Sequence, residues 1–282
     1  MHRAEGAVEE MSFTESLRAT IEACGSRLCV GLDPDLEALP TEFEPEPDEV
    51  LRFVTGIVEA TAEFAAAYKP NSAFYEVMGP AGMEVLQAVI ASVPKGVPVI
   101  LDGKRGDIAN TDERYASACF DVYGATAATV SPYLGRDSLE PFIRRADRGV
   151  FVVCRTSNPG SGDVQELRVG ERPLYLEVAA RCREWNTNGN VGLVAGATHP
   201  NDIAAVRVEC PGMPILIPGV GAQAGDLEGA VAAAAGEGGQ EPFLVSASRA
   251  IVSASRGADF QHAAADVAKG LRDSIEAASR IP

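Results

Sequence analysis

Asp102, Lys104 and Asp107 fall within six residues of one stretch, VILDGKRGDIANT (Val99–Thr111), with Arg105 among them. They follow directly on an apolar run with the composition of a strand. If Leu101 points outward there, Asp102 and Lys104 both point to the opposite face, because side chains alternate along a strand. Left unpaired, such inward charges would cost several kcal/mol, which argues that the pair is kept for use. Asp107 stands further on, where the strand turns towards a helix. For Asp107 alone the simpler reading is a capping residue in DIANTDE that favours the helix dipole.

Other polar residues fall at comparable positions. Lys69, in AYKPN, ends the preceding apolar run and can reach Asp102, giving a Lys–Asp–Lys string; a Schiff-base or structural lysine is the alternative. Asp33, in GLDPD, either binds a hydroxyl or opens the Asp-Pro turn. PGVGAQAGD (218–226) and SASRA (246–250) follow the last two apolar runs. A glycine-rich loop and an arginine at those places suit an anion held by backbone N–H groups, a helix N-terminus and a guanidinium. The competing reading is a turn and a surface arginine. CRTSNPGSGDVQEL (154–167) reads as a base-recognising or lid loop, or as a flexible connection. His199 reads as a turn or capping residue, and Trp185 and Cys182 as packing.

The elements that must position these residues alternate regularly. Strand-like runs occur at 27–33, 65–74, 97–107, 125–133, 149–157, 190–198, 213–221 and 242–250. Amphipathic helical segments lie between them, among them Asp48–Ala66, Gly82–Ser92, Asp107–Tyr123 and Arg172–Asn186. HPND (199–202) and GD (225–226) open two further helices, and Gln261–Ala278 closes the chain. Eight strand–helix units predict a parallel sheet with right-handed crossovers, closed as a single-domain (β/α)8 TIM barrel. A doubly wound open sheet is the alternative, but no G-x-G-x-x-G follows the first strand. In a barrel, function gathers at the C-terminal ends of the strands, which is where the polar residues above are found. The first ten residues are expected to be a flexible N-terminal extension, with the barrel over 11–282.

The 282 residues carry a net charge of −16, which disfavours nucleic acid as a partner. Lys69, Lys95, Lys104 and Lys269 are the only lysines, against twenty arginines. An acidic, lysine-poor surface suits a halophile, and GC-rich codon usage produces the same bias. The six cysteines are scattered without metal-ligand spacing and read as free thiols. No apolar run is long enough to cross a membrane, and the N-terminus carries no secretory signal. A cytoplasmic protein is expected.

Asp102, Lys104, Asp107, Ile108 and Thr111, spaced as D-x-K-x-x-D-I-x-x-T, resemble the signature of the orotidine 5′-phosphate decarboxylase family. GLDPD, KPNSAFYE, SPYLG, CRTSNPGS, GATHP, IPGVGAQ and SASRA follow the family's order over nearly the whole chain. The KPNSAFYE and TSNPGS forms resemble its longer, second subtype. The resemblance implies a carboxy-lyase of pyrimidine biosynthesis that converts orotidine 5′-monophosphate to UMP and CO2 without a cofactor or metal, as a barrel homodimer. It implies that Asp102 faces the substrate carboxylate, Lys104 protonates C6, and Lys69 holds Asp102 and the ribose. Asp107, Ile108 and Thr111 would complete the partner subunit's site. Asp33 would bind the ribose hydroxyls and Ser157 the pyrimidine. Gln223 and Arg249 would grip the phosphate, with Pro218 and Ser248 beside them.

One residue departs from that pattern, since Ser248 stands where glycine usually precedes the phosphate arginine; the closer backbone approach that glycine allows is then in question. Sugar-phosphate decarboxylases and aldol-type synthases of the same superfamily share the signature but use Mg2+ and a further Glu near the second strand. Glu76 is available for that, whereas the TSNPGS loop favours a nucleotide. A catalytically silent phosphate-binding barrel is a third reading. It gives no reason for an inward Asp102 against an anionic ligand.

Overall fold

Short runs of Val, Ile, Leu and Ala cannot alternate polar and apolar faces, so they form strands only where both faces are covered. The computed structural model, which describes residues 11–220 and 226–280, has this arrangement. The first half of the chain contains α1 (Phe13–Cys24), β1 (Leu28–Gly31), α2 (Pro47–Thr61), β2 (Ala67–Lys69), α3 (Ala73–Glu76) and α4 (Gly79–Ser92). It continues with β3 (Ile100–Arg105), α5 (Ala109–Ser117), β4 (Ala127–Val130), α6 (Arg136–Ile143) and β5 (Gly149–Arg155). A short insertion follows, made of α7 (Gly162–Gln165), β6 (Arg168–Val169) and β7 (Arg172–Pro173). The rest comprises α8 (Leu174–Trp185), β8 (Val191–Ala195), α9 (Pro200–Glu209) and β9 (Ile215–Ile217). The chain then runs through α10 (Leu227–Ala235), β10 (Phe243–Ala247), α11 (Arg249–Val252) and α12 (Phe260–Ala278).

Eight strands form one parallel sheet in the order β2-β1-β10-β9-β8-β5-β4-β3. The two ends of that order meet: Tyr68 N–H donates to Pro98 O and Asp102 N–H to Pro70 O, each at 2.9 Å. With isolated parallel bridges at Tyr68–Val99 and Asn71–Asp102, the sheet closes into a barrel. The expected (β/α)8 architecture is therefore the one found. Residues 1–10, expected as a flexible extension, lie outside the described residues.

The core has two parts. Val30, Leu101, Ala128, Val152, Leu193 and their equivalents face outward against the helices. Cys29, Ala67, Ile100, Ala127, Phe151, Val194, Leu216 and Leu244 form a separate inner cluster together with Phe13, Leu17 and Ile21 of α1. The helix thus covers the N-terminal end of the barrel. Phe13 meets Phe151 edge-on at 6.0 Å between ring centres, and a Cβ on Gly149 would lie 2.5 Å from the Phe13 ring.

Several expected boundaries are corrected. α1 was not anticipated, although Ser12 and Glu15 form a capping box at its start. The helix expected after the fourth run is α6, which is short and carries Pro141. Arg172 belongs to the β6–β7 hairpin and not to the following helix. The segment expected as a helix from Asp107 begins at Ala109, and Ala118–Val122 widens into a π-helical turn. Asp107 does not cap α5, because Ile108 occupies the cap position without a side-chain bond. Asp226, by contrast, caps α10 by accepting the Gly229 N–H. Five of the six cysteines are buried, and all six are free.

Among the described residues no helix is long and apolar enough to cross a membrane. Phe13→Ala is expected to destabilise the protein by about 3–5 kcal/mol, the cost of a core cavity that the rigid strands cannot collapse into. Denaturant unfolding should show it as a lower midpoint with an unchanged slope.

Candidate active site

The strand ends converge on a cleft of about 310 Å³ at the C-terminal end of the barrel. Its walls include Asp33, Lys69, Asn71, Asp102, Ser157, Pro218, Ser248 and Arg249. Seven residues singled out from the sequence are thus brought into one cavity, contributed by six different strand ends.

Asp102 is the centre of the arrangement. Its Oδ2 accepts Lys69 Nζ at 2.9 Å, and its Oδ1 accepts Lys104 Nζ at 2.9 Å and Thr129 Oγ1 at 2.7 Å. Asn71 Nδ2 approaches Oδ2 at 3.4 Å. Burial opposes the charge on Asp102, but Lys69 and Lys104 outweigh it and hold the carboxyl well below the usual carboxylate range. Burial likewise opposes the charge on Lys69, and Asp33 and Asp102 overcome it, raising the ammonium above its ordinary value. The Lys69 side chain is 8% exposed and that of Lys104 is 50%, so one lysine is locked and the other is open to solvent; Lys104 joins the site through Asp102 and does not line the cavity wall.

Strict alternation does not deliver Lys104. The β3–β4 register shifts between Leu101 and Arg105, and Lys104 has φ 46°, the one non-glycine residue in the left-handed region among the described residues. A side chain in that region costs roughly 1–2 kcal/mol. Arg105, which looked like part of the charge cluster in sequence, points elsewhere. It binds Glu76 at 3.0 Å and lies over Tyr115, so the Glu76 carboxylate is paired with a guanidinium.

Asp33 accepts the Asn71 N–H at 3.0 Å, tying the end of β1 to the end of β2. Gly31 and Gly196 permit two further close approaches. A Cβ on Gly31 would lie 2.4 Å from Ser248 Cβ, and one on Gly196 would lie 2.7 Å from Ser157 Cβ. The serine that replaces the expected glycine is therefore accommodated by a glycine on the neighbouring strand. The loop after β5 is anchored by Arg155, which is buried and binds Asp202 at 2.8 Å, Ser161 at 2.9 Å and Glu166. Gln165 adds a second tie by binding both the N–H and the hydroxyl of Thr156.

Not every expected residue reaches this cleft. The Asp107 carboxylate accepts the Ile108 N–H at 2.7 Å, Ile108 is 67% exposed, and Thr111 is exposed on the first turn of α5. None of the three lines the cavity of its own chain. Asp112, buried behind them, holds the Asp107 N–H at 3.0 Å, and burial pushes its carboxyl up. Gln223 lies outside the described residues. Asn71 and Thr129 were not singled out from sequence. Asn71 stands in the conspicuous KPNS stretch, whereas Thr129 is hidden in AATV, where a threonine reads as an ordinary strand former.

A closed β/α barrel with a charged cluster at the C-terminal ends of its strands places the chain among the β/α-barrel enzymes. It belongs to the orotidine 5′-phosphate decarboxylase / HUMPS family, whose model matches residues 26–263. It is 52% identical over 269 residues to an orotidine 5′-phosphate decarboxylase of Thermomicrobium roseum, covering 94% of this chain and 95% of that protein. A second such relative, from Roseiflexus castenholzii, is 51% identical over 273 residues, covering 96% and 99%. Among solved structures, OMP decarboxylase from Leishmania donovani is similar with a TM-score of 0.83 and 43% identity, covering 96% of this chain and 100% of that one.

The shifted groups fix the pH dependence of stability. Asp102 has an ordinary value of 3.8 and is depressed on folding, so its contribution is complete above about pH 4 and is lost as pH falls further. Lys69 has an ordinary value of 10.5 and is raised on folding, so its contribution is complete below about pH 10 and is lost as pH rises further. Burial also raises the thiols of Cys29, Cys119, Cys154, Cys182 and Cys210 above their ordinary 9.0, so stability begins to fall on the alkaline side before Lys69 titrates. Thermal melts should therefore show a plateau from about pH 4 to about pH 8. Asp102→Asn should flatten the acid-side slope and should melt lower than the wild type on the plateau, because Lys69 is left buried without the carboxylate it hydrogen-bonds.

Proposed function

We propose that the chain decarboxylates orotidine 5′-monophosphate to UMP and CO2. The observation that carries this reading is Asp102 held between two ammoniums inside a cleft that also contains Arg249. Curated relatives at about half identity over nearly the whole chain support the decarboxylase branch of the family. The commitment of Glu76 to Arg105 gives no support to a metal-dependent sugar-phosphate reaction.

Loss of CO2 leaves an electron pair at C6 of the pyrimidine with no conventional electron sink, so fixed charges must carry most of the barrier reduction. The substrate carboxylate lies against Asp102, and that like-charge contact ends as CO2 departs. Lys104 favours the developing carbanion and transfers its proton to C6. Lys69 secures Asp102 and one ribose hydroxyl, and Asp33 binds the ribose from the other side of the cleft. Ser157 contacts the pyrimidine. Arg249, Gln223 and the backbone around Pro218 and Ser248 hold the phosphate, and this remote binding energy keeps the charged groups in register. The reaction needs no cofactor.

The active form is a homodimer in the cytoplasm, and Asp107, Ile108 and Thr111 serve the partner subunit's cleft. Val77, Ile108, Tyr133 and Leu134, on the loops after β2, β3 and β4, are 71%, 67%, 86% and 48% exposed, an apolar set at the mouth that a second copy would cover. The reading includes neither a nucleic-acid nor a membrane partner.

Purified protein should consume orotidine 5′-monophosphate, followed by loss of orotate absorbance, equally with and without EDTA. Lys104→Ala should lower kcat by about 10²–10⁴-fold or more while UMP still binds, as expected on removal of a general acid; normal turnover in that variant would sink the assignment. The shared site has its own test. Lys104→Ala and Asp107→Ala chains, each inactive alone, should regain about a quarter of wild-type activity when mixed and reassembled, because half the dimers then contain one intact site of two. No regain on mixing would show that each cleft is complete within one chain.

A further inference from the structure

Thr129 lies in the middle of β4, 2% exposed and flanked by apolar residues, yet its hydroxyl has three polar partners. It donates to Asp102 Oδ1 at 2.7 Å and accepts the N–H groups of Gly103 and Lys104, both at 3.0 Å. A threonine hydroxyl has one hydrogen and two lone pairs, so its capacity is filled. The register explains why one side chain is used in this way. Leu101 pairs with Ala128 and Arg105 with Val130, so Asp102, Gly103 and Lys104 together face only Thr129. Two successive backbone donors of this bulge meet on the Thr129 oxygen, which serves them as an acceptor where the ladder is irregular. The same bulge contains the left-handed Lys104, whose Nζ returns to the carboxylate two residues earlier.

We infer that Thr129 is a positioning residue for proton delivery: its hydroxyl fixes the Lys104 backbone and the Asp102 carboxylate to each other, so the ammonium and its counter-ion keep one geometry through the reaction. The inference rests on the decarboxylase reading given above. When Lys104 gives its proton to the C6 carbanion, a C–H bond forms, an N–H bond breaks and the lysine becomes a neutral amine. Asp102 then still accepts from Lys69 on Oδ2 and from Thr129 on Oδ1. Neither oxygen is left bare, and the carboxylate stays in place until Lys104 is protonated again. Asn71, which touches Oδ2 at 3.4 Å, cannot take over the role on Oδ1.

The test compares Thr129→Val and Thr129→Ala, which remove the hydroxyl with and without filling its space, against Thr129→Ser, which keeps it. With orotidine 5′-monophosphate, Val and Ala should lower kcat by about 10–100-fold with KM within about threefold, and Ser should keep kcat within about threefold of wild type. By microscopic reversibility, exchange of the C6 hydrogen of UMP in D2O should slow in Val and Ala by a factor similar to the fall in kcat. Wild-type kcat in Thr129→Val or Thr129→Ala overturns the inference, as does a loss confined to KM or an equal loss in Thr129→Ser. A crystal structure of Thr129→Val tests it without turnover. Lys104 should leave the left-handed region and its ammonium should separate from Asp102; an unchanged Lys104 geometry overturns the inference. A wild-type protein inactive on orotidine 5′-monophosphate would instead remove the functional reading, and the crystal structure would still decide the role of Thr129.

Discussion

A single negative charge buried between two positive ones sets the terms for the mouth of this barrel. Asp102 is nearly inaccessible, and a carboxylate there would be neutral if it stood alone. Lys69 and Lys104 keep it charged, and Asp33 and Asp102 together keep Lys69 charged at a depth where an ammonium is otherwise disfavoured. The two buried members, Asp102 and Lys69, are tolerable only because each has the other beside it. The site is therefore pre-charged, and the protein meets the electrostatic cost when it folds and not when it reacts.

This constraint explains local features that would otherwise look incidental. The β3 bulge, the left-handed Lys104 and the hydroxyl in the middle of β4 bring the second lysine back onto the carboxylate. Asn71 ties β2 to β1 through Asp33 and leans on Asp102 from the same loop. Arg155 does comparable work on the far side, where one buried guanidinium fixes the loop carrying Ser157 to α9 through Asp202. Gly31 and Gly196 supply room for the serines that enter the cleft. Rigid strands present the charged groups, and the loops around them are tied down by side chains and not by regular ladders.

Much of this was legible in the sequence because the barrel repeats one simple pattern. Eight apolar runs separated by amphipathic segments give the architecture, and charged residues at the run ends give the face that works. Asp102, Lys104 and Lys69 could be grouped because their charges are costly inside a barrel unless paired. Thr129 was not legible, since nothing in AATV separates a hub hydroxyl from a β-branched strand residue; only the β3–β4 register exposes its role. The bulge was hidden for the same reason, and period-two reasoning reached Lys104 for an incomplete cause. α1 carried a capping signal, but its burial depends on the floor of a barrel that local pattern cannot place. Asp107 shows the opposite limit, because its surroundings within one chain give it no cleft to line.

The floor of the barrel also orders the assembly of the molecule in time. α1 emerges early in synthesis, yet it packs on β5, β8, β9 and β10, and Arg18 reaches Gln240 across 222 residues of sequence. β1 pairs with β10, the last strand made. β1 can pair with β2 early, but neither the plug nor the other edge of β1 meets its final neighbours until nearly the whole chain has been translated. The apolar face of α1 must therefore wait, exposed or covered by other contacts, while the middle of the barrel forms. Closure is a late event of high sequence separation, and its entropic cost falls on the final step of folding.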